Sequence, residues 1–203
     1  MKDYPDLSNG ILPSSLNVTI RKAQSVDLNN LVEILASSFY SQSGVMRWLF
    51  PIMRLGIYED IRQRLRSPAE SGYTCLIAVP TARATLPPIV GTVEVAVRST
   101  TPQFFRSNPY PYLSNLAVHP NFRRQGVALK LLRTCERTVI EQGYRAIYLH
   151  VLESNHAARQ LYLKAGYEIY SADPLWCSRF LKRPRRLLLR KPLTTAPEYS
   201  EPW

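Results

Sequence analysis

The chain has 203 residues, of which 45% are hydrophobic and 20% charged, a composition typical of a folded domain and unlike that of disordered or fibrous proteins. Its longest apolar runs fall far short of the roughly 20 residues that cross a bilayer, and residues 1–10 lack the pattern of a secretory signal, so we expect a cytoplasmic protein without membrane association. Lysine and arginine outnumber aspartate and glutamate by 26 to 15, and the net charge of +11 favours anionic partners. Three cysteines without CxxC spacing argue against a disulfide framework and against a metal site.

Hydrophobic periodicity divides the chain into one domain at 17–192 between two flexible, proline-containing ends at 1–16 and 193–203. In chain order, we expect a strand at 18–22, a helix at 28–39, a helix at about 55–66, strands at 74–79, 89–98 and 112–118, a helix at 126–142, a strand at 146–151, a helix at 155–164, and strands at 167–171 and 185–191. The early hairpin favours antiparallel pairing and the later strand–helix–strand units favour parallel pairing. The sequence therefore predicts an α/β fold with a mixed sheet flanked by helices.

Residues 116–128 run from a strand through a polar turn directly into a helix. A helix start exposes unpaired N–H groups at the positive end of the helix dipole, and a pyrophosphate can accept several of these hydrogen bonds at once. Gly126 permits close approach, and Arg123 and Arg124 can add charge-assisted hydrogen bonds. The segment is therefore a candidate phosphate-binding loop, although a glycine at a helix start is also compatible with a plain turn.

Two ordered motifs resemble the hallmarks of the GNAT superfamily of acetyltransferases. The residues Arg123-x-x-Gly126-x-Ala128 resemble its Gln/Arg-x-x-Gly-x-Gly/Ala signature, and Asn155 to Tyr167 resemble its second motif, Asn-x-x-Ala-x-x-Leu-Tyr-x-x-x-Gly-Phe. The close resemblance covers about 110–175. It implies the GNAT fold, which has a mixed, mostly antiparallel central sheet with one splayed parallel pair and about four flanking helices. It also implies acetyl-CoA as the donor substrate and no metal.

The same resemblance implies how the donor is held. The pantetheine arm of acetyl-CoA would lie between strands 112–118 and 146–151, bonded to the main chain of Leu116 and Val118 and to Asn155, and Tyr162 would protonate the departing thiolate. Tyr162 follows Asn155 by seven residues, which is two turns along one helix face, and its phenol has a suitable proton. The implied donor-binding residues are Leu116, Ala117, Val118, Arg123, Arg124, Gln125, Gly126, Val127, Ala128, Leu129, Asn155, Ala157, Ala158 and Tyr162.

The attacking amine must be neutral, so a general base is expected. Alternation on strand 146–151 places His150 opposite the aliphatic face, free to face the cleft, and its ordinary pKa of about 6.5 suits this work. The surrounding residues resemble a subset of protein N-terminal acetyltransferases in which the matching histidine is the base and a tyrosine on the neighbouring strand, here Tyr112, assists it. Glu94 is the other candidate, although a solvent-facing position would also explain a carboxylate among valines. A structural role in packing, without a part in catalysis, is the alternative for both His150 and Tyr112.

The acceptor is the least specified part of the reaction. The pairing of Tyr112 with His150, the long loop at 99–111 and the basic surface favour a protein N-terminal α-amine or a lysine ε-amine. The basic stretch at 179–191 also resembles plastid and cyanobacterial members that acetylate both, and a relative of that type would reside in the plastid stroma. The alternative is a small amine such as a polyamine, an aminoglycoside or an amino acid. A non-catalytic nucleic-acid-binding module is a remote alternative, and either a monomer or a homodimer fits the sequence.

Overall fold

A seven-stranded mixed sheet connects all the other elements in the computed structural model of the protein. The structure describes residues 17–39, 50–66, 72–81, 88–99, 109–174 and 184–193. The strands lie in the order β1-β2-β3-β4-β5-β7-β6, and every neighbouring pair is antiparallel except β4 and β5, which are parallel. Their bounds are β1 Val18–Lys22, β2 Thr74–Pro80, β3 Gly91–Arg98, β4 Tyr110–Val118, β5 Ala146–Leu152, β6 Glu168–Ala172 and β7 Arg186–Pro192.

Four α-helices lie within the described ranges, namely α1 Leu28–Phe39, α2 Phe50–Arg66, α3 Val127–Glu141 and α4 His156–Lys164. All the expected helices and strands are confirmed, and the mixed α/β architecture with them. The second helix begins five residues before the expected start. Pro51 does not prevent this, because it lies in the first turn, where a missing N–H removes no helical hydrogen bond. No helix among the described residues is both long and apolar enough to span a bilayer.

The ends of the chain were expected to be flexible, and 1–16 and 194–203 lie outside the described residues. Leu193 is described, and it is buried with its N–H donating to the carbonyl of Arg145 at 2.8 Å. The folded part of the chain therefore extends one residue past the expected boundary at 192.

Two hydrophobic clusters lie on opposite faces of the sheet. On one face, α3 and α4 pack against the strands through buried side chains such as Leu131, Leu132 and Ile147. On the other face, α1 and α2 pack through Leu31 and Ile61. Burying each of these aliphatic side chains stabilises the fold by about 1.5–3 kcal/mol.

The second cluster is confined to one half of its face. Besides residues of α1 and α2, its described members come from β2, β4 and the residues around β3, and none comes from β5, β6 or β7. In the other half, which no described helix covers on this face, His150 and Tyr170 are exposed, whereas the alternate residues Ile147 and Leu149 are fully buried on the other side. The aliphatic face expected for strand 146–151 is thus confirmed, and His150 lies on the open face of the sheet.

Close packing fixes where α3 starts. A Cβ added at Gly91 would lie 3.0 Å from Leu131 Cδ1 and 3.1 Å from both Val127 Cγ1 and the carbonyl oxygen of Ala117. Only glycine lets the first turns of α3 approach β3 and β4 this closely. The loop before α3 is therefore held against the carboxyl end of β4.

Candidate functional site

The parallel strands β4 and β5 separate after a single paired position. Tyr112 pairs with Tyr148, and beyond that register β4 continues to Val118 and β5 to Leu152 without further pairing. This is the splayed pair that the sequence resemblance implied. The facing edges of β4 and β5 therefore have main-chain N–H and C=O groups that do not bond to each other. An extended molecule inserted between the two strands would bond to these groups as an added strand does.

A β-bulge in β4 lies beside this opening. Thr92 pairs with Ala117 and Glu94 with Ser114, so β4 contains one more residue than β3 across the same interval. Asn115 takes the extra position with a φ of 51°, a left-handed conformation that asparagine tolerates better than most residues. Such a bulge bends the strand and redirects its neighbouring groups, here Leu116. The sequence contained no clear signal for it.

The loop between β4 and α3 has the geometry of an anion site. The backbone is left-handed at Arg124 (φ 64°) and at Gly126 (φ 77°), and α3 begins at Val127 with its first N–H groups free of helical partners. Turns of this kind bring successive N–H groups to one concave side. A Cβ at Gly126 would meet nothing within 4 Å, so the space before the loop is open.

The side chains of the loop divide between bracing it and facing outwards. Arg123 Nε donates to the carbonyl of Val118 at 3.1 Å, and Gln125 Nε2 donates to the carbonyl of Asn121 at 3.3 Å, so both hold the loop in shape. Arg124 is exposed, and Ala128 and Leu129 are half-buried. Ala117 and Val127 are buried, which leaves only their main chain for contact with a ligand.

Asn155 and Tyr162 lie on α4 at the other side of the opening. Asn155 Oδ1 accepts a hydrogen bond from the N–H of Ala158 at 3.1 Å and so caps the helix, while its amide nitrogen stays a donor. Ala157, in the same first turn, is exposed. Tyr162 is 7% exposed and packs edge-on against Tyr167, with ring centroids 5.7 Å apart. Burial, with a smaller contribution from the nearby phenol of Tyr112, raises the pKa of Tyr162 to about 12.

Tyr112 and His150 form a hydrogen-bonded pair across β4 and β5. The phenol oxygen and His150 Nδ1 are 3.0 Å apart, and the tautomer of the imidazole decides which atom donates. Partial burial, followed by the positive charge of Arg186, lowers the pKa of His150 below its usual value, although Asp173 acts in the opposite direction. The imidazole is therefore mostly neutral at neutral pH, the state a general base requires.

Glu94 does not face solvent, and the solvent-facing interpretation is wrong. Its side chain is 1% exposed, because this face of β3 lies under α2, and its Oε2 accepts from Arg64 at 3.1 Å. Arg64 also bonds Asp60 at 2.8 Å. Burial raises the pKa of Glu94, opposed by the side chains of Asn115 and Arg64. Glu94 is thus an enclosed carboxyl group beneath the bulge.

The pKa of Glu94 predicts a pH effect on stability. Because the folded state holds the proton more tightly than the unfolded chain, this group contributes stability at acid pH that is lost as the pH rises through the folded pKa. Glu94→Gln cannot ionise, so its unfolding temperature relative to that of the unchanged protein should increase as the pH is raised from acid to neutral. Thermal unfolding of both proteins across this range is the measurement, and a constant difference would contradict the burial cost.

An aromatic and arginine cluster on the open face was missed by the sequence reasoning. The Tyr148 ring lies 5.3 Å from Tyr110 and 5.9 Å from Tyr170, centroid to centroid, and the Arg190 guanidinium carbon lies about equally far from the rings of Tyr148 (6.0 Å) and Tyr170 (5.9 Å). Alternation along 185–191 contained a signal for it, since Arg186 and Arg190 share a face opposite the buried Leu187 and Leu189.

Comparison with known proteins agrees with this geometry. The family model described as "Acetyltransferase (GNAT) family" matches residues 30–167. GCN5-related N-acetyltransferase 7, chloroplastic, of Arabidopsis thaliana is 44% identical over 89 residues, which cover 44% of this chain and 32% of the relative. GCN5-related N-acetyltransferase 10, chloroplastic, of the same plant is 31% identical over 150 residues, which cover 71% of this chain and 59% of the relative. The chain thus spans less than two thirds of either curated relative.

Among solved structures, the PaiA N-acetyltransferase from Thermoplasma acidophilum in complex with coenzyme A superposes with a TM-score of 0.64 at 18% sequence identity, covering 87% of this chain and 99% of that one. At this identity the likeness concerns the fold, and it agrees with the mixed sheet and its splayed pair. Since the family model spans most of the chain and the 31% identical relative matches 71% of it, the chain belongs to the GNAT family of acetyltransferases.

Proposed function

We propose that the protein transfers the acetyl group of acetyl-CoA to a primary amine of a polypeptide, either an N-terminal α-amine or a lysine ε-amine or both. The observation that carries this proposal is the hydrogen-bonded pair of Tyr112 and His150 beside the opening between β4 and β5, with the buried phenol of Tyr162 close enough to Tyr112 for that phenol to contribute to its raised pKa. This arrangement supports a base and an acid at one opening, which is what acyl transfer to an amine requires.

The described residues fit an acetyl-CoA molecule. Its pyrophosphate would accept hydrogen bonds from the N–H groups around Gly126, where the space is open, with Arg124 adding positive charge. Its pantetheine arm would lie between β4 and β5, where Leu116 offers main-chain groups beside the bulge and Asn155 offers its amide nitrogen. The thioester that acetyl-CoA supplies would then lie near Tyr112 and Tyr162.

The reaction proceeds by direct attack. The neutral amine forms a C–N bond with the thioester carbonyl carbon, and the C–S bond breaks as the electron pair leaves with sulfur. The proton lost from the amine nitrogen passes to the pair of His150 and Tyr112, and Tyr162 gives its own proton to the sulfur. Because its pKa is about 12, Tyr162 keeps that proton until the sulfur becomes charged.

His150 is a better base than Glu94. The histidine is exposed, hydrogen-bonded and mostly neutral, whereas the carboxylate is 1% exposed and bonded to Arg64. We assign Glu94 to holding α2 against β3 beneath the bulge. A folded Glu94→Gln variant that loses its activity while His150→Gln keeps it would reverse this assignment.

The charge around the site bears on the acceptor. Arg98 lies 3.7 Å from the centre of the Tyr112 ring, and the charge of Arg186 helps to lower the pKa of His150. Polyamines and aminoglycosides are cations, which these arginines repel. Polypeptide amines are therefore favoured, with a small neutral or acidic amine as the alternative. A nucleic-acid-binding role without catalysis would leave the arrangement of Tyr162, Tyr112 and His150 without a purpose.

We infer the location in the cell from the relatives rather than from the composition. The matched Arabidopsis proteins are described as chloroplastic, which favours the plastid stroma over the cytoplasm that composition alone suggested. Imaging the full-length protein fused to a fluorescent reporter in its own cells tests this, and exclusion from plastids would contradict it.

A charge placed at Gly126 should weaken donor binding. Gly126→Asp puts a carboxylate into open space at a left-handed position that aspartate tolerates, so the fold should survive while repulsion of the pyrophosphate raises the dissociation constant of acetyl-CoA by about tenfold or more. Gly126→Asn is the matched control, since it has the same shape without the charge. Calorimetric titration with acetyl-CoA measures the difference, and equal affinities for the two variants would move the pyrophosphate elsewhere.

The proposal is tested with an acceptor panel. Release of free coenzyme A is followed with peptides that have a free N-terminus, peptides with a blocked N-terminus and an internal lysine, spermidine, and an aminoglycoside. Acetylation of peptides alone is the expected result, and the first two groups report which amine is preferred. Turnover of the small amines alone would overturn the polypeptide acceptor while leaving the donor site in place.

A further inference from the structure

The face of the sheet that bears the proposed base continues as an open, cationic surface. Residues that alternate onto this face come from neighbouring strands in matching register. Tyr112 of β4 pairs with Tyr148 of β5, and Tyr148 pairs in turn with Arg190 of β7. Arg98 of β3 pairs with Tyr110 of β4 at the same end of the sheet. The surface therefore begins at the reactive pair and extends across two further strands, about 10 Å at the usual strand spacing.

On this surface, neither Arg98 nor Arg190 forms an ion pair with a carboxylate among the described residues, although Glu168 lies opposite Arg190 in the β6–β7 register. By contrast, Arg186 bonds Asp173 at 3.0 Å and Arg185 bonds Glu153 at 3.1 Å. Arg98 and Arg190 instead contact aromatic rings, Arg98 over Tyr112 and Arg190 over Tyr148 and Tyr170. Aromatic faces hold a guanidinium in place without neutralising its charge.

Arg190 also has an unused donor. Its Nε is buried and has no hydrogen-bond acceptor in the described part of the protein. That atom is enclosed by the protein, whereas the N–H groups at the end of the half-buried guanidinium can donate two parallel hydrogen bonds to a carboxylate of a bound molecule. Arg190 is thus held between two rings in a position suited to an incoming carboxylate.

The chain segments that join these strands cannot supply that carboxylate. Residues 100–108, between β3 and β4, contain Arg106 and no aspartate or glutamate. Residues 175–183, between β6 and β7, contain Arg179, Lys182 and Arg183 and again no acidic residue. Both segments lie outside the described residues, and all their charged side chains are cationic.

We propose that the acceptor is an acidic polypeptide, whose carboxylates next to the reactive amine bind Arg98 and Arg190. This inference rests on the proposed function and names its substrate class. An extended chain advances about 3.3–3.6 Å per residue. With its amine at Tyr112 and His150, a chain that runs towards β3 brings a carboxylate within a few residues of the amine to Arg98, and a chain that runs towards β7 brings one to Arg190.

The experiment compares kcat/KM for three peptides of equal length that differ only in having glutamate, glutamine or arginine at positions two to four. The glutamate peptide should exceed the glutamine peptide by roughly tenfold, and the arginine peptide, which adds positive charge without adding an acceptor amine, should be the poorest. Raising the salt concentration should shrink the advantage, because exposed charges are screened. Equal rates for the glutamate and glutamine peptides would overturn the inference.

Variants locate the effect. Arg98→Gln and Arg190→Gln should each reduce the ratio of glutamate to glutamine rates, and Arg137→Gln, an exposed arginine on α3, should leave it unchanged. The ratio of the two peptide rates is measured because a displaced Tyr112 would lower both rates by the same factor and leave their ratio unchanged. An unchanged ratio in both variants would overturn the assignment of these residues.

The outcomes separate this inference from the proposed function. If acetyl-CoA modifies no peptide at all, the proposed function fails. If it modifies all three equally, the function stands and the acidic preference fails. If a short single-stranded oligonucleotide binds the protein and loses affinity in Arg98→Gln and Arg190→Gln, while acidic peptides gain no advantage, the surface serves nucleic acid and the inference is overturned.

Discussion

Replacing Tyr162 with phenylalanine is expected to lower kcat by roughly 10²–10⁴, the loss typical of a removed acid–base group, and to leave the affinity for acetyl-CoA nearly unchanged. The ring is buried against Tyr167, so phenylalanine keeps the packing and removes only the hydroxyl group. Without that hydroxyl, the sulfur must leave as an unprotonated thiolate. Steady-state kinetics and calorimetric titration of acetyl-CoA measure the two quantities separately.

Tyr167→Phe is the matched control for this prediction. Tyr167 is also buried, and its ring contacts that of Tyr162. Removing this second hydroxyl should change kcat little. An equal loss in both variants would show that packing in this cluster matters rather than the acid, and unchanged turnover in Tyr162→Phe would remove Tyr162 from its proposed role.

Replacing His150 with glutamine is expected to lower kcat/KM by roughly 10²–10⁴ at neutral pH and to change the shape of the pH profile. The unchanged enzyme should lose activity at acid pH, with a midpoint below about 6.5, because protonation of His150 removes the base and its pKa is lowered in the fold. Glutamine does not titrate there, so this loss should disappear. A second rise near the pKa of the peptide amine should stay in both proteins.

Tyr112→Phe shows which path the proton takes. If Tyr112 donates to Nδ1, the histidine proton is on Nε2 and the amine proton must pass through the phenol, so both variants should lose similar activity. If Nδ1 donates to the phenol, Nε2 is free to accept the proton and Tyr112→Phe should be much the milder change. If the activity of His150→Gln still falls at acid pH as it does in the unchanged enzyme, His150 is not the base.

The sequence predicted those features that depend on neighbouring residues along the chain. The helices and strands were expected from periodicity, and the loop at 123–128 from a glycine between a strand and an amphipathic helix. The capping of α4 by Asn155 also follows from local chemistry, since its side chain needs only the N–H of Ala158. Each of these features is settled within a few residues.

Features that depend on the register between strands could not be predicted in this way. The bulge at Asn115 arises because β4 contains one more residue than the stretch of β3 with which it pairs. The sequence of either strand alone does not show this difference. The solvent-facing interpretation of Glu94 used only the alternation within its own strand. Alternation shows which residues share a face, but it does not show that α2 and Arg64 cover the face that bears Glu94. The surface around Arg190 likewise needs the order β4-β5-β7-β6, in which β7 lies between two strands that precede it in sequence.

We propose that acetyl-CoA, bound between β4 and β5, donates its acetyl group to a polypeptide amine. The most direct test incubates the protein with isotopically labelled acetyl-CoA and an acidic peptide, followed by tandem mass spectrometry that locates the label. We expect the label on an amine nitrogen of the peptide, with little transfer in Tyr162→Phe. Release of coenzyme A without label in the peptide, or binding of acetyl-CoA without any turnover, would contradict it.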